Sequence, residues 1–261
     1  MFGTLWQYRY FMLTVIRGDL KSRIARSYVG AGWFILQPLA QALIFALVLS
    51  EGLGARLPHT DGKYAYAVYV LSGMAAWGLF NEIVNRCLSV FIDHGPTLKK
   101  IAFPRLCLPL IVLGNALVNH AMVLIATFIL ILAAGQSPWF TWLSVVLGIV
   151  LLAGLAFGIG LILGIFNVFS RDVGQVTVVI LQIWFWLTPI AYPLDAVPAV
   201  VKPIVEANPL TPVVKIYQDA LLRHHWPEFY PLLGPAILAL VLLAAALILF
   251  RRGSPEMVDA L

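Results

Sequence analysis

"TWLSVVLGIVLLAGLAFGIGLILGIFNV", residues 141–168, decides the fold class. It carries no charged side chain and is longer than the roughly 20 apolar residues a helix needs to cross a bilayer. Its apolar residues run on continuously instead of alternating, which favours a helical bundle over a barrel. Gly154-x-x-x-Gly158 and Gly160-x-x-x-Gly164 lie inside it, and that spacing lets a neighbouring helix come close. Packing accounts for these glycines without further chemistry.

The same texture recurs at 33–54, 65–90, 107–134, 176–193 and 233–250, so six spans are expected in one all-α integral membrane domain; the second is long, and its polar tail "NEIVNRC" is expected to project beyond the lipid. Composition agrees. Of the 261 residues, 61% are hydrophobic and 11% charged, whereas soluble domains hold about 25% charged residues. Cys87 and Cys107 make no disulfide framework. The N-terminus has no short apolar core with a small-residue cleavage site, so no cleavable signal peptide is expected.

Six spans put both ends on one side. Lys and Arg cluster before span one, between spans two and three, at Arg171 and at Arg251–Arg252, which is twelve of the seventeen basic residues. By the positive-inside rule both termini face the cytoplasm.

Residues 11–29 place Leu13, Ile16, Leu20, Ile24 and Tyr28 at spacings of three and four, with Arg17, Lys21 and Arg23 largely off that stripe. This predicts a basic amphipathic helix lying in the inner interface; a plain positive-inside anchor is the other reading. Between spans five and six, Pro198, Pro203, Pro209, Pro212, Pro227 and Pro231 cut the chain into pieces too short to span. They are expected as re-entrant or interfacial helices on the outer side. Span five itself ends in "LQIWFWLTPIAYP" (181–193), three rings followed by a Thr188-Pro189 break. Such a break at membrane depth survives only where protein or water satisfies the backbone.

Polar residues inside the spans come in pairs four apart: Gln37 with Gln41, Asn81 with Asn85, Glu82 with Arg86, Asn115 with Asn119, and His120 beside them. They face a water path or bond neighbouring helices, and both readings stay open. Trp139 and Trp142, with Tyr64, Tyr66 and Tyr69, suit an interfacial belt. Trp77, Phe80, Trp184, Trp186 and Tyr192 suit it less; stacking on sugar rings and core packing are the two alternatives. Catalytic and P-loop patterns are absent: "GPTLKK" (95–100) lacks the second glycine and the Ser/Thr. No nucleic-acid partner is expected, and ATP hydrolysis would have to occur on another subunit.

Four stretches in order, "RGDLKSRIARSYVGAGWFILQPL" (17–39), "LKKIAFPRLCLPL" (98–110), "FSRDVGQVTVVILQIWFWLTPIAYP" (169–193) and "EANPLTPVV" (206–214), resemble the membrane subunits of ABC transporters that export bacterial surface polysaccharides, such as O-antigen, teichoic acid and capsule. The likeness spans nearly the whole chain. It implies a homodimeric permease in the bacterial inner membrane, with two ATPase subunits that bind ATP and Mg. The cargo it implies is a glycan on an undecaprenyl-pyrophosphate type carrier, most similar to O-antigen. No cofactor would bind this chain.

Residue by residue, the resemblance implies ATPase coupling through Thr97, Leu98, Lys99, Lys100, Ile101, Phe103, Pro104 and Arg105, for which a solvated basic loop is the alternative. It implies a headgroup gate at Arg17, Lys21, Arg23 and Arg26, and a second cytoplasmic loop at Arg171 and Asp172. The channel lining would comprise Trp33, Trp77, Phe80, Asn81, Asn115, Asn119, Trp184, Trp186, Pro189 and Tyr192. The domain then divides into an interface helix (1–30), spans one to five (33–193), periplasmic gate helices (194–232), and span six with a tail (233–261). A drug or lipid cargo on the same architecture, or an ion-coupled transporter, are the competing expectations; Glu82 is the one plausible mid-span acid for the latter, and Arg86 is placed to pair with it.

Overall fold

The computed structural model describes residues 6–25, 32, 36, 40, 44, 65–95, 104–133 and 139–260. Expected span one and the 96–103 loop lie outside or almost outside these residues. Eight helices matter: α1 (Arg9–Ala25), α2 (Ala65–Asp93), α3 (Cys107–Ala133), α4 (Ser144–Phe169), α5 (Asp172–Trp186), α6 (Lys202–Ala207), α7 (Leu210–Gln218) and α8 (Leu233–Ala260). Four segments are long and apolar enough to cross a membrane: Ala65–Asp93, Cys107–Leu132, Phe140–Phe169 and Tyr230–Gly253. No strand occurs among the described residues.

Helix α4 is the hub, and its glycines explain why. A Cβ at Gly154 or Gly158 would meet Ala239 or Leu242 of α8, the latter at 2.8 Å. A Cβ at Gly160 would meet Cys87 Cβ of α2 at 2.8 Å, and one at Gly164 would strike the Cys87 carbonyl. The two small-residue motifs therefore serve two different neighbours: one seats α8, the other α2. At the lower end Asn167 donates to the Leu88 carbonyl (2.9 Å) and accepts from the Gly174 amide (3.0 Å), tying α4 to α2 and to the start of α5. These pairings run α2, α4 and α8 in one direction, with α3 and α5 antiparallel to them. The free cysteines Cys87 and Cys107 are both buried.

Expected span five, 176–193, is shorter than the sequence implied. Its helix ends at Trp186, and fifteen residues at 1.5 Å each rise only about 22 Å, less than the ~30 Å hydrocarbon core. Pro189 removes an amide donor and disfavours helical geometry at Thr188, so the helix cannot continue. The chain turns through Leu187–Pro193 and returns as α6 and α7. Helix α7 is buried along most of its length, and Tyr217, fully enclosed, reaches His120 near the middle of α3 (3.0 Å). Gly148 gives it room, since a Cβ there would lie 2.7 Å from its ring. A π turn, Asp219–Arg223, ends the insertion, and His224 closes it in the left-handed region at φ 57°.

Candidate translocation surface

Helix α2 has two unlike faces. Its buried face is apolar and packs on α4. From Gly78 downward the positions left accessible are Gly78, Asn81, Glu82, Asn85, Arg86, Ser89, Ile92 and Asp93. Seven of these eight are polar or glycine, over about 22 Å of helix. Two other helices show the reverse. On α5 and α8 the accessible positions include Val176, Val179, Ile183, Ile237, Val241 and Ile248. Helix α2, with 29 residues, is longer than the hydrocarbon core is thick; wherever this row lies at the depth of the bilayer it cannot face hydrocarbon, so it faces water or other protein.

The stripe is internally bonded. Arg86 Nη1 donates to Glu82 Oε1 at 3.1 Å, each side chain 28% exposed. Asn119 of α3 donates to the same carboxylate oxygen. Asn85 Nδ2 donates to the carbonyl and the side-chain oxygen of Asn81, both at 2.9 Å, and Ser89 donates to Asp93 at 2.6 Å. One turn from Asn119 along α3, Asn115 donates to Asp19 of α1 at 2.8 Å. Ile16 presses on Gly114 beside it, so closely that a Cβ would collide. Asn115 and Asn119, expected in the lining, are buried and work as interhelical bonds under and beside the stripe.

At the far end of α2 the rings gather. Phe80 is fully buried, 5.6 Å from Trp77 and 5.3 Å from Trp184; Trp77 and Trp184 are half-buried, and Trp186 is 59% exposed. Above them the broken backbone is held largely by side chains. Tyr66 donates to Ala191, Tyr69 to Pro189 and Tyr192 (3.1 and 3.0 Å), Gln218 to Pro189 (3.0 Å), and Tyr192 to Trp186 (2.6 Å). Gly73 admits the Ile190 backbone, since a Cβ there would sit 3.2 Å from the Ile190 Cα. Pro189 is buried and Tyr192 half-buried.

Asn208 is the centre of this clamp. Its Oδ1 accepts from Trp184 Nε1 (2.9 Å) and the Leu210 amide (3.0 Å). Its Nδ2 donates to the Leu187 carbonyl (3.1 Å) and Thr188 Oγ1 (2.9 Å). Sequence reasoning missed Asn208, Gln218 and Asp19, and assigned Tyr66 and Tyr69 to an interfacial belt. They are instead buried donors to the break, because a stretch that has left the helix leaves carbonyls, those of Pro189, Ala191 and Tyr192 among them, that these side chains reach. An Asn immediately before Pro209, in a segment already marked as broken, was the available signal. Beside the clamp an apolar hollow of about 500 Å³ is lined by Trp184, Leu187, Pro203, Ile204, Ala207, Asn208 and Pro209.

The remaining expected site residues fall as follows. Arg17 and Lys21 are exposed on α1; Arg23 lies within α1 with its side chain outside the described residues, as are Arg26 and Trp33. Thr97, Leu98, Lys99, Lys100, Ile101 and Phe103 lie outside them too, while Pro104 and Arg105 are half-buried just before α3. Arg171 and Asp172 are exposed at the α4–α5 corner, where Asp172 in the first turn of α5 complements the helix dipole. In the π turn, burial raises the Asp219 carboxyl above its usual range while Lys215 and Arg223 pull it down, and burial lowers His224. No cluster of three or more His, Cys, Asp or Glu able to hold a metal occurs among the described residues.

The sequence profile of the ABC-2 type transporter membrane family matches residues 10–222. The chain is 28% identical to the O-antigen export system permease protein RfbA of Myxococcus xanthus, over 98% of this chain and 97% of that one. It is 28% identical to the protein of the same name from Klebsiella pneumoniae, over 83% and 82%. It is 24% identical to the polysialic acid transport protein KpsM of Escherichia coli, over 93% of each.

Proposed function

We propose, from the premise that this chain belongs to the ABC-2 type transporter family, that it is the permease subunit of an ATP-driven exporter for a lipid-linked polysaccharide. The observation that carries this reading is the polar stripe of α2. A drug or lipid crossing the bilayer is served by an apolar or amphipathic wall; a hydrated polymer needs a continuous row of hydrogen-bonding groups. The names of the relatives, O-antigen export permease and polysialic acid transporter, point to the same class of cargo.

Two copies would enclose the conduit, with the α2 stripes toward the lumen and the apolar faces of α5 and α8 toward lipid or the partner copy. The second chain and span one would complete the wall. ATP and Mg would be bound by two separate ATPase subunits seated on the 97–105 loop, where Leu98, Ile101 and Phe103 offer an apolar contact and Lys99, Lys100 and Arg105 a polar rim. Six spans with both termini in the cytoplasm of a bacterial inner membrane fit the basic-residue bias. Arg17, Lys21, Arg23 and Arg26 would meet the pyrophosphate at the inner mouth, since a guanidinium fork matches phosphate oxygens. The Asn208 clamp would hold α6 and α7 as the outer gate.

Deleting the gene tests the reading. Loss of surface glycan with accumulation of lipid-linked glycan in the cytoplasm is expected. Unchanged glycan in both places moves the cargo to a drug or lipid and refutes it.

A further inference from the structure

The distribution of charge along the conduit narrows the cargo. Arg86, the cation of the α2 stripe, is bound by Glu82 at 3.1 Å; the exposed Asp93 carboxylate, past Leu88 and its bond to Asn167, belongs to the lower end of α2. Toward the end that carries α7, every described lysine and arginine has a carboxylate at hand. Lys202 lies 4.0 Å from Glu206, Lys215 3.9 Å from Glu228, and Arg223 3.1 Å from Asp219. The opposite end differs: Arg17, Lys21, Arg171, Arg251 and Arg252 stand exposed there and outnumber the exposed carboxylates Asp93, Asp172 and Glu256. Anionic chemistry is thus favoured at the entrance and nowhere along the described path beyond it.

A polymer with a charge on each sugar would need positive groups free to face it, and would instead meet a stripe whose cation is already neutralised by Glu82, in a confined, weakly screened passage. An uncharged sugar needs only donors and acceptors, which Asn81, Asn85 and Ser89 provide. Resting on the reading of this chain as a glycan exporter, we propose that the stripe selects an uncharged glycan, and that negative charge is confined to the carrier headgroup handled at the entrance.

The test uses the whole chain with its ATPase, expressed in cells lacking other exporters and supplied with one of two lipid-linked homopolymers of matched length: a neutral polymannose or a polysialic acid. Surface glycan is measured per cell. Polymannose should appear, with polysialic acid lower by about tenfold or more, the low end of the gain that a complementary charged cleft gives and that a neutral stripe lacks. Equal export of both, or export of polysialic acid alone, overturns the proposal while leaving the exporter reading in place. Export of neither removes the exporter reading itself. Glu82→Gln, which frees the Arg86 cation and keeps an acceptor for Asn119, and Glu82→Gln combined with Asn85→Lys, which adds a second cation to the stripe, should raise the polysialic-to-mannan ratio stepwise. A ratio unmoved by both variants puts the selection outside this stripe and refutes the proposal.

Discussion

Asn208→Ala should unfasten the break that follows α5. Four hydrogen bonds converge on the Asn208 side chain, which is 8% exposed. Truncation strands the Trp184 indole N–H, the Leu210 amide and the Leu187 carbonyl; Thr188 keeps its bond to the Trp184 carbonyl at 2.9 Å. A buried group left without a partner costs about 1–3 kcal/mol. The adjoining hollow opens toward these groups and lets water recover part of that, so the net loss should fall near 2–5 kcal/mol. Trp184→Phe removes one donor and leaves Oδ1 its second partner, so about 1 kcal/mol is expected. The two substitutions should be strongly non-additive, because with Asn208 gone the indole has nothing left to lose; Trp184→Phe in the Asn208→Ala background should cost under about 0.5 kcal/mol. Unfolding in a detergent titration, followed by tryptophan fluorescence with the Trp184→Phe protein as its own baseline, measures all four corners of the cycle. A loss below about 0.5 kcal/mol for Asn208→Ala, or full additivity, would refute the clamp.

Two other substitutions probe the packing and the docking of α1. Gly164→Ala drives a methyl into the Cys87 backbone carbonyl, so α2 and α4 must part, and a loss of about 1–3 kcal/mol is expected in the same titration; Gly18→Ala, with open space around it, should lose nothing. Asp19→Ala removes the acceptor of the Asn115 bond; hydrogen exchange should speed up across residues 9–25 while α4 and α8 keep their protection, and unchanged exchange in α1 would show that Ile16 on Gly114 suffices to hold it.

The helical membrane class was legible because it depends on long apolar runs, and the α4 glycines were legible because close approach has a fixed spacing. The Glu82–Arg86 pair followed from helical periodicity alone. What stayed hidden depends on contacts far apart in sequence. Tyr69 and Pro189 are 120 positions apart, and nothing local to Tyr69 distinguishes a belt residue from a donor to a broken backbone. The rings were legible as a group but not one by one: whether Phe80 lies in the core and Trp186 on the surface is set by where α5 crosses α2. Span five was drawn too long because hydropathy continues through Ile190 and Ala191, which are apolar yet buried in a turn, Ile190 against Gly73.

The two faces of α2 and the broken end of α5 belong to one design constraint. A helix that shows polar groups to a lumen has given up its lipid face, so its stability must come from the opposite side. That side is built from the closest contacts available, with Gly160 and Gly164 bringing α4 against the α2 backbone. In the proposed conduit the lumen would need an end that can open, and a regular helix cannot supply one without breaking its own ladder. Here the ladder is already broken, and its carbonyls are held by side chains of α2 and α7 and by Asn208. Such bonds contribute about 1 kcal/mol each, so they can be exchanged singly as α6 and α7 move, whereas the α2–α4 contact cannot open without parting two backbones. Motion is therefore expected at the clamp and rigidity at α4, with the stripe fixed between them.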